Sequence, residues 1–177
     1  QGLVPSLSKI RRGAKLIPFV EDFGVPMSKI PETIRELQKI RDKHNFPIPI
    51  FGHIGDGNLH ATLIIDGRRE KEWEKVKPIA QDFIDLTMKF KGTLTAEHGI
   101  GIAKAPYIHH ELGLSHEVMK TIKRALDPKN ILNPGKMGLD DSVKDILDHF
   151  TYKEFVEAPD QIQSFSQAVD NEIFACM

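Results

Sequence analysis

A chain of 177 residues, 40% hydrophobic and 28% charged, has the apolar content for one well-buried domain with a small appendage. Its 24 basic residues balance 25 acidic ones to a formal charge of −1, so there is no electrostatic ground for nucleic-acid or membrane-surface binding. No apolar run reaches the ~20 residues of a membrane span, no signal-peptide pattern is present, and a single cysteine rules out an internal disulfide, making the reducing cytoplasm the expected compartment.

In chain order, residues 15–25 are rich in β-formers and predict a strand, with Pro18 at an edge or irregularity. Ser28 is the expected N-cap of a helix whose Ile30, Ile34, Leu37 and Ile40 form an amphipathic stripe. Residues 48–53 and 59–65 predict two strands joined at Asp56-Gly57, a two-residue hairpin signal of the type I′ turn. A helix follows over 70–90, with Trp73, Val76, Ala80, Phe83, Ile84 and Met88 inward; Pro78 predicts a kink or a late start. Residues 92–98 predict a third short strand. Helical turns at 106–111 and a helix over 115–126 come next, capped by Ser115 and ended by Asp127-Pro128. Residues 130–136 predict a loop, and 141–150 and 159–174 short amphipathic helices. The expected class is α+β, an antiparallel sheet with helices packed on one face, followed by a helical extension. The chain starts at Gln1 and stops at Cys176-Met177 directly after an apolar stretch, which reads as a fragment of a longer protein.

The chemistry concentrates in three segments. A turn centred on Asp56-Gly57 places His53 opposite His60 on one sheet face, where Cβ atoms lie roughly 4.5–5.5 Å apart and two imidazoles can share a metal ion. Two histidines merely decorating a hairpin is the alternative, and the pair alone leaves both readings open. Thr95-Ala-Glu-His-Gly-Ile-Gly101 adds the third ligand. Glu97 and His98 are adjacent in the predicted strand and face apart, so one completes a two-histidine, one-carboxylate set with an open position, the pattern of a catalytic metal site. His44, His109, His110, His116 and His149 read as surface residues, and Arg11, Arg12 and Lys104 as solvated cations. Asn133 stands either against a cofactor ring or in a plain turn. Gly99-Ile-Gly101 lacks the third glycine of a dinucleotide loop. Cys176 is either an inert thiol or the first cysteine of a cluster-binding run.

Gly52-His-Ile-Gly-Asp-Gly-Asn-Leu-His60, Ala96-Glu-His-Gly-Ile-Gly101 and Leu126-Asp-Pro-Lys-Asn-Ile-Leu-Asn-Pro-Gly-Lys136 resemble, in the same order, three signatures of the C-terminal domain of FAD-linked oxidases. These are flavoproteins of the vanillyl-alcohol-oxidase type, including glycolate oxidase, D-lactate dehydrogenase and D-2-hydroxyglutarate dehydrogenase. Val20-Glu-Asp-Phe-Gly-Val-Pro26 is similar to the strand before the family's first cap helix. The resemblance covers residues 1–138, with 139–177 as an extension or linker. It implies a cap packed over an N-terminal FAD domain, and a divalent ion, zinc foremost, at His53, His60 and Glu97. His98 is implied as the base that takes the hydroxyl proton while the α-hydrogen passes as hydride to the flavin. A lysine of some members is matched by Val20, which argues for a smaller acid such as glycolate or lactate over 2-hydroxyglutarate. The family's substrate arginine falls at or before Gln1. In fused members an iron–sulfur domain follows, and Phe174-Ala-Cys-Met177 is similar to the start of its first cysteine motif.

The expected function is therefore the substrate side of an FAD-dependent 2-hydroxy-acid oxidoreductase, inactive as an isolated piece. The flavin would be held mainly by the N-terminal domain, and an iron–sulfur domain or subunit would take the electrons. A stand-alone metal-dependent hydrolase and a non-catalytic metal-binding module are the alternatives.

Overall fold

Alternation along short strands decides which sheet face becomes core and which becomes site. The computed structural model describes residues 7, 14–17, 21–66, 69–145 and 147. Its strands are β1 (Lys15–Ile17), β2 (Asp22–Gly24), β3 (Ile50–His53), β4 (Asn58–Ala61) and β5 (Leu63–Ile65). All pairings are antiparallel: β2-β4-β3 form one sheet and β1-β5 a second. The single strand expected over 59–65 is thus two pieces flanking Thr62, each paired with a different part of the expected 15–25 strand. Pro18 lies outside the described residues. β3 starts at Ile50 rather than 48 because Pro49 has no N–H to give the ladder, although its carbonyl still accepts from Thr62 (3.2 Å).

Phe23 pairs with Leu59, and both are fully buried; Asp22 pairs with His60 on the opposite face. Two long helices cover the Phe23 side. Helix α1 (Ile30–His44) contributes Ile30 and Leu37, and α3 (Val76–Lys89) contributes Val76, Ile79, Ala80, Phe83 and Ile84. The Phe83 ring lies 6.3 Å from that of Phe23. Burying each of the larger side chains among these stabilises the fold by about 1.5–3 kcal/mol. The α+β class with helices on one sheet face is what the periodicity predicted.

Several local expectations change. Ser28 lies inside a 3-10 turn (Met27–Lys29) and caps nothing; Pro31 opens α1 instead, and Thr33 Oγ donates to Lys29 O (2.9 Å). The 70–90 helix is split into α2 (Glu70–Trp73) and α3, the late start that Pro78 demands. After α4 (Ile108–Leu112), α5 (Leu114–Leu126) begins at Gly113, so Ser115 sits within its first turn rather than capping it. Helix α5 ends at Leu126, as Asp127-Pro128 requires. Residues 141–145 are not helical: Asp140 accepts hydrogen bonds from Ser142 N and Oγ and from Gly135 N, and holds that stretch as a loop. The rest of the expected 141–150 helix apart from Leu147, the 159–174 helix, Cys176, His149, Arg11 and Arg12 lie outside the described residues.

Candidate functional site

The hairpin between β3 and β4 differs from the expected one by two residues. His53 pairs with Asn58 and His60 with Phe51, around a loop formed by a 3-10 turn (Ile54–Asp56) and Gly57. A type I′ turn needs two positive φ values, and only Gly57 has one (76°). A Cβ there would lie 2.2 Å from Val25 O, and the Gly57 carbonyl accepts the Val25 N–H at 2.9 Å, so the loop is clamped to the end of β2. Because the pleat repeats every two residues, a two-residue slip leaves both histidines on one face. They become diagonal neighbours, with ring centroids 6.0 Å apart.

The predicted 92–98 strand is absent: Thr93 alone bridges to Gly24, and the chain then loops. The cause is Asp22. Its carboxylate accepts the N–H groups of Ala96 (3.1 Å), Glu97 (3.2 Å) and His98 (2.9 Å), and the Thr95 hydroxyl (3.2 Å). Three successive amides turned onto one carboxylate cannot also point into a ladder. Glu97 and His98 therefore do not face apart. Glu97 Oε1 lies 3.0 Å from His60 Nε2, 3.7 Å from His53 Nε2 and 3.4 Å from His98 Nε2.

Lys104, expected in solvent, is buried beneath this loop and donates to Asp22 O (2.5 Å), with its Nζ 3.4 Å from Asp22 Oδ2. Burial alone would push the Asp22 carboxyl up. The Lys104 charge and the loop amides outweigh it and hold Asp22 below the usual range. Burial holds the Lys104 ammonium below its ordinary value.

Glu21 organises both inner histidines. Its Oε2 accepts from His60 Nδ1 (2.8 Å) and its Oε1 from His98 Nδ1 (2.9 Å). A carboxylate only accepts, so each neutral ring carries its hydrogen on Nδ1 and presents a lone pair at Nε2. The Glu21 bond, opposed by burial, raises the His60 pKa. His60 is buried, whereas His53, Glu97 and His98 are exposed, so the cluster has a closed floor and an open side.

Glu21, Asp22 and Lys104 were not singled out from the sequence as site residues. Two adjacent acids in an otherwise apolar strand signal were the available clue. His116 is buried rather than on the surface; its Nε2 donates to Met137 O (2.9 Å), and Met137 N donates to Gly101 O (2.8 Å). The third sequence segment is thereby tied to the second. Asn133 sits in an exposed turn with φ 49°; among the described residues no hydrogen bond joins it to the histidine cluster.

Among the described residues, two trios have ligand atoms within 4.8 Å of one another: Glu21, His60 and His98, and His53, His60 and Glu97. In the first, both Glu21 oxygens already accept ring N–H groups. The second offers free lone pairs. Tetrahedral zinc with ~2.0–2.1 Å bonds sets its ligand atoms about 3.3 Å apart. The observed 3.0 and 3.7 Å separations bracket that value, so the donor set fits such an ion.

Fold and cluster together define an α+β domain carrying three imidazoles and the carboxylates of Glu21 and Glu97, with His60 and Glu21 buried and His53, Glu97 and His98 exposed. The chain belongs to the family described as FAD linked oxidases, C-terminal domain, which matches residues 1–137. It is 38% identical to glycolate oxidase subunit GlcD of Bacillus subtilis (strain 168) over 150 residues, 80% of this chain and 32% of that protein. It is 37% identical to a probable mitochondrial D-lactate dehydrogenase of Danio rerio over 129 residues, 72% of this chain and 26% of that one. Identity to D-2-hydroxyglutarate dehydrogenase of Stutzerimonas stutzeri (strain A1501) is 34% over 125 residues, 68% of this chain and 27% of that protein. The chain thus spans a third or less of these relatives. Among the described residues no helix is long and apolar enough to cross a membrane.

Proposed function

We propose that this chain is the substrate side of an FAD-dependent oxidoreductase acting on a small 2-hydroxy acid of the glycolate or D-lactate type. The relatives named above support the class. A hydrolase or a non-catalytic metal module finds no support among them. The observation that carries the reading is the Glu21 bridge, which turns the lone pairs of His60 and His98 toward Glu97 and the open side.

His53, His60 and Glu97 would hold a divalent ion, zinc best matching the donors, which supplies a positive charge that attracts and polarises a hydroxy-carboxylate. A bound flavin would supply the acceptor for the α-hydrogen and its electron pair. His98 Nε2 takes the hydroxyl proton, and the product is the 2-oxo acid. Glu21 steadies the resulting imidazolium, since its carboxylate already bonds Nδ1. Asp22 keeps Glu97 and His98 in position through their amides. The domain occupies residues 1–138, and 139–177 leads toward further chain. Asn133 is the residue of this chain proposed to approach the flavin, which is otherwise held by the rest of the protein. The resemblance at Cys176 supports an iron–sulfur acceptor, and the single cysteine fits a cytoplasmic setting.

The test uses the full-length protein. His98→Asn should slow flavin bleaching by hydroxy acids by about 10²–10⁴-fold while divalent-metal content stays stoichiometric. Normal bleaching in that variant rejects the assignment. A panel of 2-hydroxy acids, scored the same way, identifies the substrate.

A further inference from the structure

Buried polar side-chain atoms are almost always hydrogen-bonded, so an orphan calls for a partner. Among the described residues, Asn58 Oδ1, His116 Nδ1 and Asn130 Oδ1 are buried without one. Of these three, Asn58 alone belongs to the sheet that carries the histidine pair. It is 4% exposed and stands two positions before His60 on β4, so both side chains leave the same face.

The neighbours narrow the choice of donor. Asn58 is paired with Gly24 of β2 on one side and with His53 of β3 on the other. Glycine offers no side chain, and the Gly24 N–H is given to Thr93 O (2.9 Å). His60 gives its Nδ1 hydrogen to Glu21. Asn58 Oδ1 is closed to solvent, so a donor has to come from a group already packed beside it. The His53 ring is what remains. Directly paired residues have Cβ atoms roughly 4.5–5.5 Å apart, a span that an amide and an imidazole can bridge.

His53 in turn lacks what the other two imidazoles have. Glu21 fixes Nδ1 of His60 and of His98. Among the described residues no acceptor bonds the His53 ring, which is 61% exposed and has its Nε2 3.7 Å from Glu97. A histidine that ligates a metal through one nitrogen almost always donates its other N–H, which fixes the tautomer and the ring orientation. One strand therefore carries an acceptor without a donor, and the strand beside it an imidazole without an acceptor. We propose that Asn58 is the positioning residue of His53, its Oδ1 accepting the Nδ1 hydrogen while Nε2 faces a divalent ion. This rests on the reading that His53, His60 and Glu97 hold such an ion. It adds what orients the exposed ligand of the three.

The full-length protein, stripped with chelator and reloaded with zinc alone, tests this without turnover. By chelator competition, zinc affinity should fall about 10–100-fold in Asn58→Leu and stay within about threefold in Asn58→Asp, whose carboxylate still accepts. In excess chelator Asn58→Leu should melt no lower than wild type, because an apolar side chain of similar size leaves no acceptor orphaned. A lower melting point with unchanged affinity marks Asn58 as merely structural and overturns the proposal. Equal loss of affinity in the Asp and Leu variants overturns it too. One readout needs no variant at position 58. With isotope-labelled histidine in the zinc-loaded wild type, the His53 Nδ1 hydrogen should exchange at least about 10-fold more slowly than the ring hydrogen of exposed His110. Exchange as fast as at His110 overturns the proposal even where a variant fails to fold. Wild type that binds no zinc removes the metal reading and this inference together, whereas zinc held equally by wild type and Asn58→Leu removes only the role of Asn58.

Discussion

Replacing Glu21 by Gln asks whether one buried carboxylate sets the state of two imidazoles. A glutamine oxygen can accept from one Nδ1–H, but its amide N–H₂ then faces the other. Donor meets donor, and one ring must move its hydrogen to Nε2, removing a lone pair from the cluster. A hydrogen bond to a charged acceptor is worth about 1.5–3 kcal/mol. His60, at 5% side-chain exposure, bears that loss in full, whereas His98, at 42%, recovers much of its share from water. The metal-free protein should therefore lose about 2–3 kcal/mol, a melting shift of roughly 4–10 °C for a domain of this size. Metal affinity should fall by about 10–100-fold, the usual effect of removing a partner behind a ligating histidine. Chelator competition gives the second number, and thermal unfolding in excess chelator the first. The pH dependence is signed. Glu21 raises the His60 pKa above 6.5, so this contribution is fully present below 6.5 and is lost as pH rises through the folded value. The stability gap between wild type and variant should be widest at the acid end of that window and narrow with rising pH. A variant that binds metal within twofold of wild type and melts unchanged would refute the argument.

Asp22→Asn leaves the Lys104 ammonium buried without its counter-charge, and should cost about 3–5 kcal/mol in denaturant unfolding. The Asp22 pKa lies below 3.8, so its stabilisation is present above 3.8 and lost as pH falls through the lower folded value. The variant should accordingly show a shallower acid limb, and an unchanged acid midpoint would count against the role. Gly57→Ala combines left-handed strain of about 1–2 kcal/mol with a 2.2 Å approach to Val25 O, so it should destabilise by at least ~2 kcal/mol. A loss under ~0.5 kcal/mol would show that the loop relaxes freely.

Sequence by itself determined the class and pointed to His53, His60, Glu97 and His98, but not to Glu21, which bridges two of them. The apolar stripes of α1 and α3 were legible because helical spacing survives any tertiary arrangement. His53 and His60 were legible as a same-face pair even though the register was off by two, since a slip of two preserves side parity. The break before α3 was written in Pro78. Tertiary structure decided the rest. Whether residues 93–98 continue as a strand depends on Asp22, more than 70 positions away, capturing their amides, and no local propensity encodes that distance. The same capture brings Glu97 and His98 onto one cluster instead of opposite faces. Lys104 and His116 look like surface residues by type, and become buried only because Asp22 and the Met137 carbonyl meet them there. A charge's burial is set by the partner the fold supplies, and that partner is invisible along the chain.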